Sequence, residues 1–431
     1  MKVARIGTMR QPYPPLDYGG TQRSMVQMTI YQAAICAHEI TLYGPAESTI
    51  INYSAEFAKK LGLDIAINQK GDTIKIKNAD GRIGSITLRT TGHNATGYGN
   101  LDEKKLNEQL FELLVEDEKK SPYDIIHSHF KDHTVMTLIP AGLGYKTLTH
   151  NHNVRLFGYE QYKYPVICIS YSQARNLKKR YGALVYEVIH HGLDPFTYYA
   201  TTDHAGYLTW IGRFVRDKGA DVAIKIARKV KKPLILAGTI YSSNNISKEY
   251  FDNEIKPFIN ISDPSFLDRI FGMTPDQIKQ EIEQIAGRTG ASAPVILAGP
   301  VNEIQKQTLF GNAMGTLFPV KWQEPFGRVM IESMACGTPV IGYVKVGSIQ
   351  CGAVEEVIED GVTGFHVKAE NDEDAINKAV EAVLRLPEIN RKRVREVFDS
   401  DWNSERMARQ IDATYKRCLG EPVTILSGRP R

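Results

Sequence analysis

Residues 318–342, FPVKWQEPFGRVMIESMACGTPVIG, read as a strand, a loop, a helix and the start of a second strand. Gly337 supplies the helix stop, and Pro339 opens the next extended segment. The apolar runs on either side are short, and the segment between them is amphipathic. That alternation is what a parallel sheet covered by helices requires. The same rhythm continues in both directions. Towards the C-terminus a closing helix is expected over 371–386, and the stretch 399–419 reads as a further helix with Trp402 near its start. Towards the N-terminus, strands are expected over 207–211 and 295–298, with a helix over 220–230 between them. Beyond a polar break at 201–205 the pattern begins again, with strands over 2–8, 38–43, 124–127, 146–149, 166–170 and 185–190. Helices are expected there over about 21–37 and 102–119, and a hairpin over 72–90 that turns near Asp80 and Gly81.

The fold class expected is therefore α/β, with two Rossmann-like doubly wound domains. Domain 1–203 would be completed by a C-terminal helix over 403–431, and 204–402 would form the second domain. Residues 242–294 interrupt the alternation and read as a helical insertion. Within it Thr274, Pro275 and Gln277 form a capping-box pattern ahead of Ile278, Ile282 and Ile285.

Composition agrees with this reading. A chain of 431 residues with 42% hydrophobic content outgrows a single core. A net charge of +4 with 24% charged residues calls for no nucleic acid partner. Cys36, Cys168, Cys336, Cys351 and Cys418 are scattered without paired zinc spacing, as free thiols in a reducing compartment would be. No charged-then-apolar leader and no long apolar run is visible, so a cytoplasmic location is expected, with peripheral membrane contact left open. The basic set Arg175, Lys178, Lys179 and Arg180 could face anionic lipid but reads more simply as a solvated helix face.

Three stretches carry candidate chemistry. Pro14, Pro15, Tyr18, Gly19, Gly20 and Thr21 follow the first strand, where paired glycines let backbone approach an anion at a helix N-terminus; an ordinary strand-to-helix turn would look the same. Gly212, Arg213, Lys218 and Gly219 set two cations at the carboxyl edge of the second sheet, a place for a diphosphate, although loop cations are more often solvated. The opening stretch places Glu324 in a loop and Glu332 in a helix, with Pro325, Phe326, Gly327 and Arg328 between them. A carboxylate in a sheet-edge crevice needs hydrogen-bond donors, and sugar hydroxyls supply them. The amides of residues 326–328, at a helix N-terminus, suit a phosphate or sugar oxygens.

The run EPFGRVMIESMACGTPVIG, with seven residues between its two glutamates, resembles the signature of retaining glycosyltransferases of the GT-B fold, family four. YGGTQ, DIIHSHF, TLTHNH, ISYSQARNL, VIHHGLD, IGRFVRDKG, PLILAGT and EEVIEDGVTGFHV stand in the order expected of that family and span nearly the whole chain. The resemblance implies two domains facing across a deep cleft and closing over a nucleotide sugar. It implies that Glu332 binds ribose, that Arg213 and Lys218 neutralise the diphosphate beside Gly212, and that Glu324 with the amides of Phe326 and Gly327 holds the sugar. Gly19 and Gly20 would let the first domain's loop close over the phosphate, and His129 would touch the sugar and acceptor. His191, where Asn is usual, and Asn151, where Asp is frequent, depart from the family's pattern on the acceptor side.

The remaining histidines, His127, His150, His152, His190 and His191, show no metal-site spacing and read as packed or hydrogen-bonded. The pairs Asp399 with Asp401 and Asp372 with Asp374 follow no buried strand and are expected to cap helices. A metal-independent hexosyl transfer from a UDP- or GDP-linked sugar follows, with no cofactor and an acceptor that is a sugar, a lipid-linked molecule or a small molecule. Same-face attack is what the resemblance favours over a covalent intermediate. A non-catalytic nucleotide-sugar-binding protein, and a sugar-nucleotide epimerase or phosphorylase on the same fold, are the alternatives. The donor base, the sugar, the acceptor and the oligomeric state are not legible in the sequence.

Overall fold

A computed structural model describes residues 1–15, 19–97, 102–130, 137–156, 159, 163–240 and 245–420. The chain divides into two compact units, Met1–Asp194 together with the segment from Asn403 onward, and Pro195–Trp402. The division falls just before the polar break at 201–205.

Among the described residues the first unit is built on nine strands: β1 (Lys2–Ile6), β2 (Glu39–Tyr43), β3 (Asp64–Ile67), β4 (Thr73–Lys77), β5 (Ile83–Arg89), β6 (Ile125–Ser128), β7 (Thr147–Asn151), β8 (Val166–Cys168) and β9 (Val185–Val188). Their order is β3-β4-β5-β2-β1-β6-β7-β8-β9. All pairings are parallel except β3 with β4 and β4 with β5, the second of which is the expected hairpin. Successive residues of β1 face opposite layers. Val3 joins one apolar cluster with the helix Gly20–Ala34, while Ala4 and Ile6 join another with Leu110, Phe111 and Leu114 of the helix Glu103–Lys120. Both faces are therefore covered, which is why these strands read as near-continuous apolar runs. The helix Ile50–Lys60 and strand β3 had no counterpart in the sequence reading.

In the second unit the strands are β10 (Tyr207–Ile211), β11 (Leu234–Ala237), β12 (Ile261–Ser262), β13 (Val295–Gly299), β14 (Ala313–Phe318), β15 (Val340–Val346), β16 (Ile349–Gln350) and β17 (Gly364–Ala369). They run β12-β13-β11-β10-β14-β15-β16, with β17 also paired to β15. The helix Pro275–Thr289 begins with a complete capping box, the Thr274 side chain accepting from Gln277 N and the Gln277 side chain accepting from Thr274 N. Ile278, Ile282 and Ile285 then bury one face against the sheet's apolar cluster, so the insertion is an integral layer.

The C-terminal stretch is two helices, Arg391–Asp401 and Ser404–Cys418, not one. The break falls at Trp402 and Asn403, because Asn403 caps the second helix by accepting from Arg406 N at 2.8 Å. The second helix belongs to the first unit. Arg391 anchors the other within the second unit, donating to the carbonyls of Thr201, Gly311 and Ala313 and to the Thr338 hydroxyl at 2.7–2.9 Å. Among the described residues no helix is long and apolar enough to cross a membrane.

Candidate functional site

The sheet order of the second unit reverses between β10 and β14: the chain leaves β10 towards β11 on one side and returns to β14 on the other. Loops that leave the carboxyl ends of two such strands part to either side and open a crevice. The loop after β10 carries Gly212, Arg213 and Lys218, and the loop after β14 carries residues 319–327. Backbone closeness fixes both. A Cβ on Gly238 would stand 1.7 Å from the Gly212 carbonyl oxygen, and one on Gly352 would stand 2.1 Å from that of Glu324. The indole of Trp210 donates to the Lys218 carbonyl at 3.0 Å, and Ala353 N donates to the Glu324 carbonyl at 3.0 Å.

These constraints bring Lys218 and Glu324 together. The Lys218 ammonium donates to the Glu324 carboxylate, and the Trp322 indole donates to the same oxygen at 2.9 Å. The ammonium also lies 5.1 Å from the centre of the Trp322 ring. Gly327 takes φ +83° as it starts the helix Arg328–Ala335, and Phe326 is buried against Trp402 with ring centroids 5.9 Å apart. The Phe326 side chain is thus part of the core, and only its backbone is available to a ligand.

Glu332, on that helix, is 4% exposed. Lys306 Nζ lies 3.2 Å from one of its oxygens and Arg328 Nε lies 3.7 Å from the other. Lys306 was missed in the sequence, where nothing but the Asn302 and Gln305 capping box marks its helix. Two buried carboxylates, each held by a lysine on another element, therefore share one segment at the switch-point edge.

Residues 202–397 match the sequence profile described as Glycosyl transferases group 1. The match falls within the second unit. The chain is 30% identical to the D-inositol 3-phosphate glycosyltransferase of Mycobacterium tuberculosis over 144 residues, 32% of this chain and 28% of that protein. It spans about a quarter of the length of the curated relatives it matches. The sucrose-phosphate synthase of Thermosynechococcus elongatus superposes with a TM-score of 0.64 at 17% identity, covering 97% of this chain and 99% of that one. An Anabaena protein solved with UDP and glucose superposes at 0.57 with 14% identity, covering 97% and 100%. Each domain of the chain has the Rossmann-like α/β architecture of the GT-B glycosyltransferases.

The first unit has a switch point of its own, between β1 and β6. The loop after β1 leads to Gly19 and to Gly20, the first residue of the helix Gly20–Ala34; Tyr18 lies outside the described residues. A Cβ on Gly19 would stand 2.4 Å from Gln11 Oε1 and 2.8 Å from Pro15 Cβ, so close packing alone requires glycine there. His129 follows β6, with its amide donating to the Ile6 carbonyl at 2.8 Å.

His129 is one of a set. His127 Nε2 lies 3.2 Å from His150 Nδ1, and His129 Nδ1 lies 2.9 Å from His152 Nε2. The two pairs stack, His127 on His129 at 4.5 Å and His150 on His152 at 4.7 Å, and His191 continues beside His152 at 5.3 Å. His127 Nδ1 shares a hydrogen with the Tyr415 hydroxyl, which also accepts from Arg5 at 3.0 Å. Burial, with lesser contributions from neighbouring positive charge, holds His127, His129 and His150 well below the usual imidazole range, so all three are neutral at pH 7. The reading of His127, His150, His152 and His191 as packed or hydrogen-bonded holds, but it did not foresee that they form one array with His129.

One expectation is corrected. Asp399 and Asp401 cap no helix: they sit in the last turn of Arg391–Asp401, where Arg395 holds Asp399 at 2.9 Å. Asp374 does lie in the first turn of Asp372–Arg385 and accepts from Glu370 N, although the cap itself is Asn371.

Proposed function

We propose that the chain is a glycosyltransferase that moves a hexosyl group from a UDP- or GDP-linked donor to a hydroxyl acceptor with retention, without a metal ion. The reading is carried by the buried pair Glu324 and Glu332 at the sheet's switch point, inside the segment that matches the group 1 family. In it Glu332 takes the ribose hydroxyls, and Lys218, whose ammonium has three hydrogens, donates to Glu324 and to the diphosphate together. Arg213 and the helix N-terminus at Gly327 and Arg328 add positive potential where the leaving diphosphate gains charge. Gly212 lets the loop approach the phosphates, and Pro325 turns the chain that presents Glu324 to the sugar. The Anabaena neighbour, solved with UDP and glucose, supports a UDP-linked hexose first.

Same-face transfer breaks the bond from the anomeric carbon to the phosphate oxygen and forms one to the acceptor oxygen. The acceptor's hydroxyl proton passes to the leaving phosphate. The first unit supplies the acceptor side in this reading, with Gly19 and Gly20 at a phosphate and His129 at the sugar; the acceptor is a sugar, a lipid-linked molecule or a small molecule.

The test is a panel of nucleotide sugars on the full chain with EDTA present, following nucleotide release and ligand-induced thermal stabilisation. One donor should stabilise the protein and be turned over. Glu332→Ala should mainly raise the donor KM and Lys218→Ala should mainly lower kcat. Stabilisation without turnover on any acceptor would leave a nucleotide-sugar-binding protein, and wild-type kinetics in both variants would place the site elsewhere.

A further inference from the structure

We propose that His127, His129 and His150 form a binding site for one divalent transition-metal ion of the zinc kind, all of whose ligands lie in the first unit. One ring nitrogen from each of the three falls within 4.8 Å of the other two. Three imidazoles around a single ion, each with a metal–nitrogen distance of about 2.1 Å and near-tetrahedral angles, hold their ring centres about 5.4 Å apart. The centres of His127 and His150 lie 5.3 Å apart, as do those of His129 and His150. The three rings lie within 5–16° of parallel, and an ion must lie in the plane of each ring that binds it, so loading has to turn His129 out of its stack as well as widen its 4.5 Å separation from His127.

The donor chemistry points the same way. His129 Nε2 and His150 Nε2 are buried and have no hydrogen-bond partner among the described residues. His129 is 7% exposed, and His127 and His150 are at 0% and 1%. An enclosed imidazole nitrogen with nothing to bind needs an explanation, and an ion supplies one. The other nitrogen of two of the rings is already held from outside. The Tyr415 hydroxyl stands at His127 Nδ1 and can take that nitrogen's hydrogen, which leaves Nε2 as the ligand atom; its present hydrogen bond with His150 Nδ1, 3.2 Å away, is given up on loading. His152 Nε2 does the same for His129 Nδ1. An outer partner of this kind fixes the tautomer and ring orientation of metal-bound histidines. Three nitrogen ligands suit zinc, cobalt, nickel or copper rather than magnesium or calcium, and they leave a coordination position open.

This inference does not rest on the transferase reading, and it competes with it at one residue: with Nε2 on the ion and Nδ1 on His152, the metal-loaded His129 has no ring nitrogen left for a sugar. Its test needs no activity. The full chain, stripped with chelator, is titrated with Co(II) alone and then with Zn(II) alone. One equivalent of Co(II) should bind with the visible bands of a four-coordinate nitrogen site and without thiolate charge transfer. X-ray absorption of the zinc-loaded wild type should show imidazole scattering and no sulfur near about 2.3 Å. His150→Gln and His129→Gln, with wild-type near-ultraviolet circular dichroism, should each weaken binding by more than the ~10–100-fold that an outer partner is worth. Sulfur in the ion's shell would overturn the proposal in favour of the cluster of Cys36, His38 and Asp412. Unsaturable binding, or affinity unchanged in folded variants, would overturn it outright.

Discussion

The histidine array makes the first unit sensitive to acid, and the size of the effect can be worked out. His127, His129 and His150 are held neutral by burial, whereas in the unfolded chain each titrates near pH 6.5. Folded-state values below the unfolded ones mean that the unfolded chain binds more protons on acidification. Stability is therefore intact above about pH 6.5 and is lost as the pH falls below it. If all three rings stay neutral while folded, each contributes about 1.4 kcal/mol of loss by pH 5.5 and about 2 kcal/mol by pH 5. The sum is about 4 and then about 6 kcal/mol, comparable with the whole stability of a typical domain. Among the described residues no carboxylate acts on these three rings: beyond one another they meet the Tyr415 hydroxyl, His152, His191 and, behind Tyr415, the Arg5 guanidinium.

The assay exploits where the chromophores lie. Trp210, Trp322 and Trp402 all belong to the second unit, so indole fluorescence reports that unit, while far-ultraviolet circular dichroism reports both. Urea melts from about pH 7.5 to about pH 5.5 should move the dichroism midpoint down by an amount equivalent to about 4 kcal/mol. His150→Gln should remove about a third of that slope. A midpoint that does not move, or that moves equally in His150→Gln, would refute the reasoning.

Two further outcomes test the packing. Arg391→Ala strips the donors from the carbonyls of Thr201, Gly311 and Ala313, each left without its charge-assisted bond, and should lower the second unit's stability by about 3 kcal/mol or more in urea melts read by indole fluorescence. Thr274→Ala removes one half of the capping box on Pro275–Thr289 and should cost about 1 kcal/mol on the same measurement, with nucleotide-sugar turnover unchanged.

Strands buried on both faces announce themselves, and so the sheets of both units were legible: Val3, Ala4 and Ile6 need apolar neighbours whichever way they point. The capping box at Thr274 was legible because it is local. The helix Ile50–Lys60 was not, although its apolar residues are spaced for one buried face, because it opens with IIN rather than with a side-chain cap. Thr49, in the cap position, makes no side-chain hydrogen bond there. The break at Asn403 escaped for a related reason: the periodic pattern runs on through Trp402, and only the cap on the second helix separates the two.

Of the second unit's site, Lys218 and Glu324 could be picked out because they lie in loops that turn at Gly219 and Gly327, and Glu332 because it sits on the helix that the same stretch begins. Lys306 could not, since it sits mid-helix and reaches Glu332 only through the packing of two helices. The histidine array shows the limit most clearly. His127 with His129, and His150 with His152, are two short His-x-His pairs 23 residues apart, a spacing with no meaning along the chain. They become neighbours because β6 and β7 pair in parallel, Ile126 with Thr147, His127 with Leu148 and Ser128 with Thr149, which leaves the two pairs staggered at one sheet edge. A shift of one residue in that register would turn one pair to the other face of the sheet and dissolve the array. The metal site proposed for these residues is therefore a property of strand register, and a sequence can state it only once the topology that sets the register is known.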